Sequence, residues 1–243
     1  MFILKIGGSA LTNKKTGESF VEDVAVRVAK ELDRNEKCVI VHGVGYEGHR
    51  LAKKYSLHRG LQNNHVEWAH LRTRVKEITK TIVNILVKYG HPAVEVSPAD
   101  IMRTSMGRIV FFDLEIVKEF LDKGFIPVMH ADGAVDDKLG LVVVSGDTIA
   151  TDIALRLGAS KLIYGTDVDG IIDSDGSVID NIDKSNIGKL HLWDTNDFSG
   201  GMKKKIEEAM RLHGITVHVI NLRKDGTLRK AIKGERIGTT IMG

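Results

Sequence analysis

Short apolar runs that do not alternate with polar residues recur along this chain, at residues 2–6, 38–41, 93–96, 126–129, 162–164 and 217–220. A strand with one wet face alternates and a strand buried on both faces does not, so these runs predict a sheet covered on both sides. Between them lie segments with helical apolar spacing, at residues 21–32, 66–89, 114–123, 148–157 and 202–212, several of them stopped by a glycine such as Gly90, Gly124, Gly158 or Gly214. Strands that alternate with helices pair in parallel, because only a crossover helix returns the chain to the same sheet edge. The expected fold is therefore α/β, a three-layer αβα sandwich around a mostly parallel central sheet. Two hairpins decorate it, one with an arm at residues 108–112 and one with Asp136-Asp137 at its tip. No linker, repeat or low-complexity tract interrupts the pattern, so the 243 residues read as one domain with approximate lobes at 1–140 and 141–243.

Glycine follows these strands with unusual regularity. Gly7-Gly8-Ser9, the loop from Gly43 to Gly48, GTDVDG at residues 165–170 and Ser199-Gly200-Gly201 each follow a predicted strand, and Ser145-Gly146-Asp147 opens a helix. Glycine lets backbone N–H groups approach an anion without a Cβ in the way. One such loop is usually only a turn; five at one edge of a parallel sheet mark the edge where ligands bind in open α/β folds. No Walker A sequence is present, and the GxGxxG spacing at residues 43–48 follows a predicted strand but is expected as a loop and not as the opening of a helix.

Lysines make the pattern more specific. Lys5 interrupts an otherwise apolar strand, which costs free energy unless the charge is paired, functional or on an edge strand facing water. Lys14 sits in the polar segment 10–19, expected as a hairpin or mobile loop, and Lys203, Lys204 and Lys205 open the helix after Gly200-Gly201. Phosphoryl transfer needs positive charge arranged around the moving group, and lysines at two loops facing one crevice supply it. Asp147, at a helix start, reads first as an N-terminal cap and otherwise as the group that orients Lys5 and Lys205. His49, directly behind Gly48, is the histidine best placed for chemistry, whereas His42 at the strand end reads as structural support. Val75, Ile78, Thr79, Ile82 and Val83 read as helix core, with a wall for an apolar substrate tail as the alternative.

Composition excludes several classes. The single cysteine, Cys38, lies in an apolar run and rules out a disulfide framework or a cysteine metal cluster. The net charge of +3 creates no global field that demands nucleic acid. No apolar run approaches the roughly 20 residues that span a bilayer, and Met1 leads straight into ILKIGG without a basic leader, so a soluble cytoplasmic protein is expected. No HExxH-like spacing points to a protein-bound metal.

Taken in order, LKIGGS at residues 4–9, the glycine loop closing in Gly48-His49, SGD at 145–147, GTDVDG at 165–170 and SGGMKKK at 199–205 resemble the amino acid kinase superfamily and, within it, the isopentenyl phosphate kinases. The resemblance runs from Lys5 to Gly238-Thr239. It implies ATP with Mg²⁺ as donor, a small phosphorylated acceptor converted to a diphosphate, no nucleic-acid or membrane partner, and a homodimer. By the same resemblance Lys5, Gly7, Gly8, Ser9, Val44, Gly200, Gly201 and Lys205 would surround ATP, with Asp167 and Gly170 at the nucleoside. Gly43, Gly48, His49 and Gly146 would hold the acceptor, and Lys5, Lys14, His49, Asp147 and Lys205 would carry catalysis. Kinases of UMP, of an amino acid carboxylate or of a fosfomycin-like phosphonate are the nearest rivals within the superfamily; the Gly-His ending is shared by the fosfomycin type and generally lacking in the other two. A nucleotide-binding regulator without turnover is the alternative of a different class. Two stretches depart from the family pattern: Val44 and Tyr46-Glu47 replace small residues and Ser-Phe, and His130-Ala131-Asp132 replaces Tyr-Gly-Asp. A carboxylate beside a phosphate repels it unless a base such as Arg50 or Lys53 meets it.

Overall fold

The computed structural model describes residues 1–13, 16–189 and 201–243. In chain order the elements are β1 (Phe2–Ile6), α1 (Gly8–Leu11), α2 (Val21–Glu31), β2 (Cys38–His42), α3 (Gly45–Lys54), α4 (His65–Lys88), β3 (Ala93–Glu95), α5 (Pro98–Ile101), β4 (Met102–Ser105), β5 (Arg108–Phe112) and α6 (Glu115–Asp122). They continue with β6 (Ile126–His130), β7 (Asp132–Asp136), β8 (Gly140–Val144), α7 (Gly146–Leu157), β9 (Lys161–Thr166), β10 (Asn181–Ile182), α8 (Gly201–Met210), β11 (Thr216–Asn221), α9 (Thr227–Lys233) and β12 (Thr239–Ile241).

Among the described residues eight strands form the main sheet, in the order β10-β12-β11-β9-β1-β2-β6-β3. Its centre is parallel, β9 and β2 flanking β1, and only β12 runs antiparallel to its neighbour β11. The central strands are buried along their whole length, as uninterrupted apolar runs require. Alternate residues divide the core in two. Ile3, Val39, Val41, Leu162 and Val217 pack under α6, α7 and α8, while Leu4, Ile6, Cys38, Ile40 and Ile163 pack under α2, α4 and α9. Burial also pushes the Cys38 thiol up to about 12, so it stays protonated packing material. Val75, Thr79 and Ile82 of α4 are buried, while Ile78 and Val83 are partly buried against the same core.

The hairpins form a second sheet, β5-β4-β7-β8. Its two tips are joined by Asp136, whose buried carboxylate accepts backbone N–H bonds from Met106, Gly107, Lys138 and Leu139 at 2.8–3.2 Å.

Two glycine stretches expected as loops are helical. Residues 8–11 make a helical turn, and the supposed loop through His49 is the start of α3. Gly45 takes φ +65°, a conformation glycine adopts without strain, and the chain turns into the helix there. Gly48 is a helical glycine because a Cβ there would lie 2.4 Å from the Cβ of Val44. Lys5 is not on an edge strand: its register partners are Val41 on one side and Tyr164 on the other.

Candidate functional site

The glycine turns meet at the carboxyl ends of β1, β2 and β9. The Gly7 N–H donates to the Gly165 carbonyl at 2.8 Å, and the Gly43 N–H donates to the Ile6 carbonyl at 2.9 Å. These contacts leave no room for side chains. A Cβ on Gly7 would stand 2.7 Å from the Gly165 oxygen, and one on Gly43 would stand 2.8 Å from the Gly8 nitrogen. A Cβ on Gly8 would point across a gap, 3.4 Å from the Gly45 nitrogen and 3.6 Å from His49 Nε2. His49 is exposed on α3, and its ring lies close to the first turn. Thr12 joins the two turns, its hydroxyl donating to the Gly8 carbonyl at 3.0 Å and accepting from the Tyr46 N–H at 2.7 Å.

Charge gathers beside this gap. Lys5 lies on the same face of β1 as Ile3, two residues earlier, and so points toward α7 and α8. Its Nζ is 2.6 Å from Asp147 Oδ1, and Lys205 Nζ from α8 is 3.1 Å from Asp147 Oδ2. One carboxylate thus bridges two ammonium groups, leaving a net positive cluster. Burial alone would raise the Asp147 carboxyl's pKa, but the charges and hydrogen bonds of Lys5 and Lys205 outweigh it and hold the group well below the usual carboxylate range. Asp147 is free for this because it is not the helix cap. Ser145 is, its hydroxyl oxygen accepting the Thr148 N–H at 3.2 Å. Gly146 crosses directly over the Lys5 stem, where a Cβ would come within 3.3 Å of both Lys5 Cε and the His42 carbonyl.

The remaining expected residues divide. Ser9 is half-buried beside Gly8, and exposed Asp167 follows β9 next to the Gly7 turn. Gly170 is enclosed, since a Cβ there would lie 2.6 Å from Val178 and 2.8 Å from the Thr239 hydroxyl; packing accounts for this glycine. Val44 is also committed to packing, in a cluster with Leu57, Trp68, Leu71, Val75 and Ala131. Gly201 begins α8, while Lys14 and Gly200 lie outside the described residues. Glu47 is met as anticipated, by Arg50 at 2.8 Å on the outer side of α3.

His42 is fully buried, bonded to Thr79 Oγ1 and the Gly43 carbonyl at 2.8 Å each, and burial together with nearby His130 lowers its pKa to about 3. It is a neutral strut under the Gly43 turn. Arg223, unnoticed in the sequence, clamps the first turn from the opposite side. Its guanidinium donates to the Ser9 carbonyl at 2.6 Å and the Ala10 carbonyl at 3.2 Å and stacks 4.1 Å over the Phe20 ring. A lone arginine so far along the chain carries no local signal of that role.

Among the described residues no group of three or more His, Cys, Asp or Glu side chains could hold a metal ion, and Asp147 is already taken up by two lysines. No helix among the described residues is long and apolar enough to cross a membrane.

The chain is similar to known proteins along its length. The profile described as "Amino acid kinase family" matches residues 1–221. An isopentenyl phosphate kinase of Methanocaldococcus jannaschii is 34% identical, over 98% of this chain and 97% of its own length. One of Methanothermobacter thermautotrophicus is 31% identical, over 100% and 99%. A solved structure described as "X-ray structures of isopentenyl phosphate kinase" superposes with a TM-score of 0.83 at 27% identity, covering 100% of both chains.

Proposed function

The chain belongs to the amino acid kinase family, and on that premise we propose that it transfers the γ-phosphoryl group of MgATP to isopentenyl phosphate, giving isopentenyl diphosphate and ADP. The observation that carries this reading is the Lys5–Asp147–Lys205 cluster beside the gap between Gly8 and His49. An acceptor phosphate oxygen attacks the γ-phosphorus, the bond to the β,γ-bridging oxygen breaks, and that oxygen leaves with the electron pair on ADP. The nucleophile is already anionic, so the reaction needs little base catalysis. It needs two polyanions held in line with their repulsion neutralised.

Lys5 and Lys205 carry that positive charge, and Asp147 fixes both ammonium groups in place before ATP arrives. A preorganised charge costs no reorganisation during the reaction. The turn at Gly7, Gly8 and Ser9 lies against the ATP phosphates, Asp167 lies toward the nucleoside, and Gly43, Gly48, Gly146 and His49 receive the acceptor phosphate. Lys14 and Gly200 join the ATP side on sequence resemblance alone. Mg²⁺ enters as part of the nucleotide. In this reading residues 1–140 form the acceptor side and 141–243 the nucleotide side, and the protein works as a cytoplasmic homodimer, on family resemblance.

A coupled ADP-release assay over isopentenyl, dimethylallyl and other alkyl phosphates, UMP, glutamate, aspartate and fosfomycin tests the reading. A short alkyl phosphate is expected to give the highest kcat/KM. Preference for UMP or an amino acid overturns the acceptor assignment, and nucleotide binding without turnover on any acceptor overturns the enzyme.

A further inference from the structure

Lys205 and Glu208 stand one turn apart on α8 and face α7, where Asp147 and Thr148 are consecutive. The two helices are joined at two adjacent points: Lys205 Nζ to Asp147 Oδ2 at 3.1 Å, and Thr148 Oγ1 to Glu208 Oε1 at 2.8 Å. Hydrogen-bond directions in the second contact are fixed by chemistry. An ionised carboxylate only accepts, so the Thr148 hydroxyl donates to Glu208; the Ser145 hydroxyl, 2.9 Å away, must then donate to Thr148 Oγ1. The relay Ser145→Thr148→Glu208 runs from the cap of α7 to the middle of α8.

Glu208 is only 8% exposed, and a carboxylate there costs free energy without strong partners. Arg211, just past the end of α8, provides one at 2.6 Å, and Arg211 alone would satisfy a Glu208 turned outward to solvent. The second oxygen is nevertheless turned inward to α7. A lysine has a long flexible stem, so the ion pair to Asp147 does not by itself fix how α8 is rotated. The short Thr148–Glu208 contact adds a directional constraint to the one that burial of Ile206 and Ala209 already provides.

We propose that Glu208, acting through Thr148, is a positioning residue that sets the rotation of α8 so that the Lys205 ammonium group rests on Asp147 beside Lys5. The inference builds on the role given to Lys205 above.

Four variants and one double-mutant cycle test it, with kcat and both KM values measured on MgATP and isopentenyl phosphate. Glu208→Ala and Thr148→Val remove the contact and are expected to lower kcat about tenfold or more, because a displacement of about 1 Å can cost two orders of magnitude. The acceptor KM should stay within about twofold by the same reasoning, since the acceptor side is untouched. Glu208→Gln and Thr148→Ser keep an acceptor and a donor and should restore kcat. The decisive readout is Glu208→Ala in a Lys205→Ala background: with the lysine gone, its rotation no longer matters and kcat should fall no further. An equal loss in both backgrounds, or a lower melting temperature with unchanged kcat, makes Glu208 a packing residue and overturns the proposal. If Lys205→Ala alone leaves kcat unchanged, the role of Lys205 falls and the positioning of it falls with it; if Lys205→Ala is damaging and Glu208→Ala silent, only the positioning fails.

Discussion

Replacing Asp147 by Asn keeps the shape of the side chain and removes a carboxylate that bridges two ammonium groups. Lys5 is 5% exposed, so water does little to replace the lost counter-charge. Removing one partner of a buried ion pair typically costs about 3–5 kcal/mol. An upper limit follows from proton chemistry. If holding Lys5 charged becomes too costly, it sheds its proton; from an ordinary lysine pKa of about 10.4 this costs about 4.6 kcal/mol at pH 7 and about 1.9 kcal/mol at pH 9. The loss in Asp147→Asn should therefore be about 3–4.6 kcal/mol at pH 7 and shrink below about 2 kcal/mol at pH 9. The sign agrees with linkage: a lysine whose folded-state pKa is lowered binds fewer protons folded than unfolded, so the variant gains stability as pH rises. Urea unfolding followed by far-ultraviolet circular dichroism at both pH values measures this. A loss that does not change with pH, or one under about 1 kcal/mol at pH 7, would refute the reasoning that Asp147 holds a buried positive pair.

His49→Ala should leave the fold intact, since the side chain is exposed, and should lower kcat/KM for the acceptor about 10- to 150-fold, the value of a hydrogen bond to a charged group. The KM for ATP should stay near wild type; unchanged turnover in initial-rate assays removes His49 from the site. Acid should unfold the wild type in a defined window. Burial raises the carboxyl pKa of both Asp136 and Asp147, but the backbone N–H groups of Gly107, Leu139 and Lys138 with the Thr104 side chain outweigh it at Asp136, and Lys5 and Lys205 outweigh it at Asp147, so both are held below the usual carboxylate range. Both contribute stability that is full above about pH 5 and lost progressively as pH falls through the unfolded pKa of about 3.9 toward their lower folded values. Asp136→Asn should flatten the acid limb of a stability-versus-pH curve, and an unchanged limb would count against the hairpin-tip role.

The layered sheet was legible because parallel strands buried on both faces have no alternative to continuous apolar sequence, as at β2 and β6. The glycine turns at Gly7 and Gly43 were legible for a related reason, that backbone contacts of this closeness tolerate nothing else. Residues 45–49 were misread as loop because Gly45 and Gly48 disfavour helix, and the reason Gly48 sits in one is the Val44 side chain against it, a packing fact invisible to local propensity. Asp147 read as a cap because Ser145, two residues earlier, competes for the same position, and only the structure tells which oxygen meets the Thr148 N–H. Arg223 and Ser9 are 214 residues apart, and Thr148 and Glu208 are 60 apart; such pairs consist of common residue types and leave no periodic trace.

The central claim is that the Lys5–Asp147–Lys205 cluster and His49 hold two phosphorylated molecules for phosphoryl transfer between them. The most direct measurement is phosphorus NMR of the protein incubated with MgATP and isopentenyl phosphate. The account predicts that the monophosphate resonance is replaced by two coupled diphosphate doublets as ADP accumulates, and that Lys205→Ala slows both together. An unchanged isopentenyl phosphate signal with active, folded enzyme would contradict it.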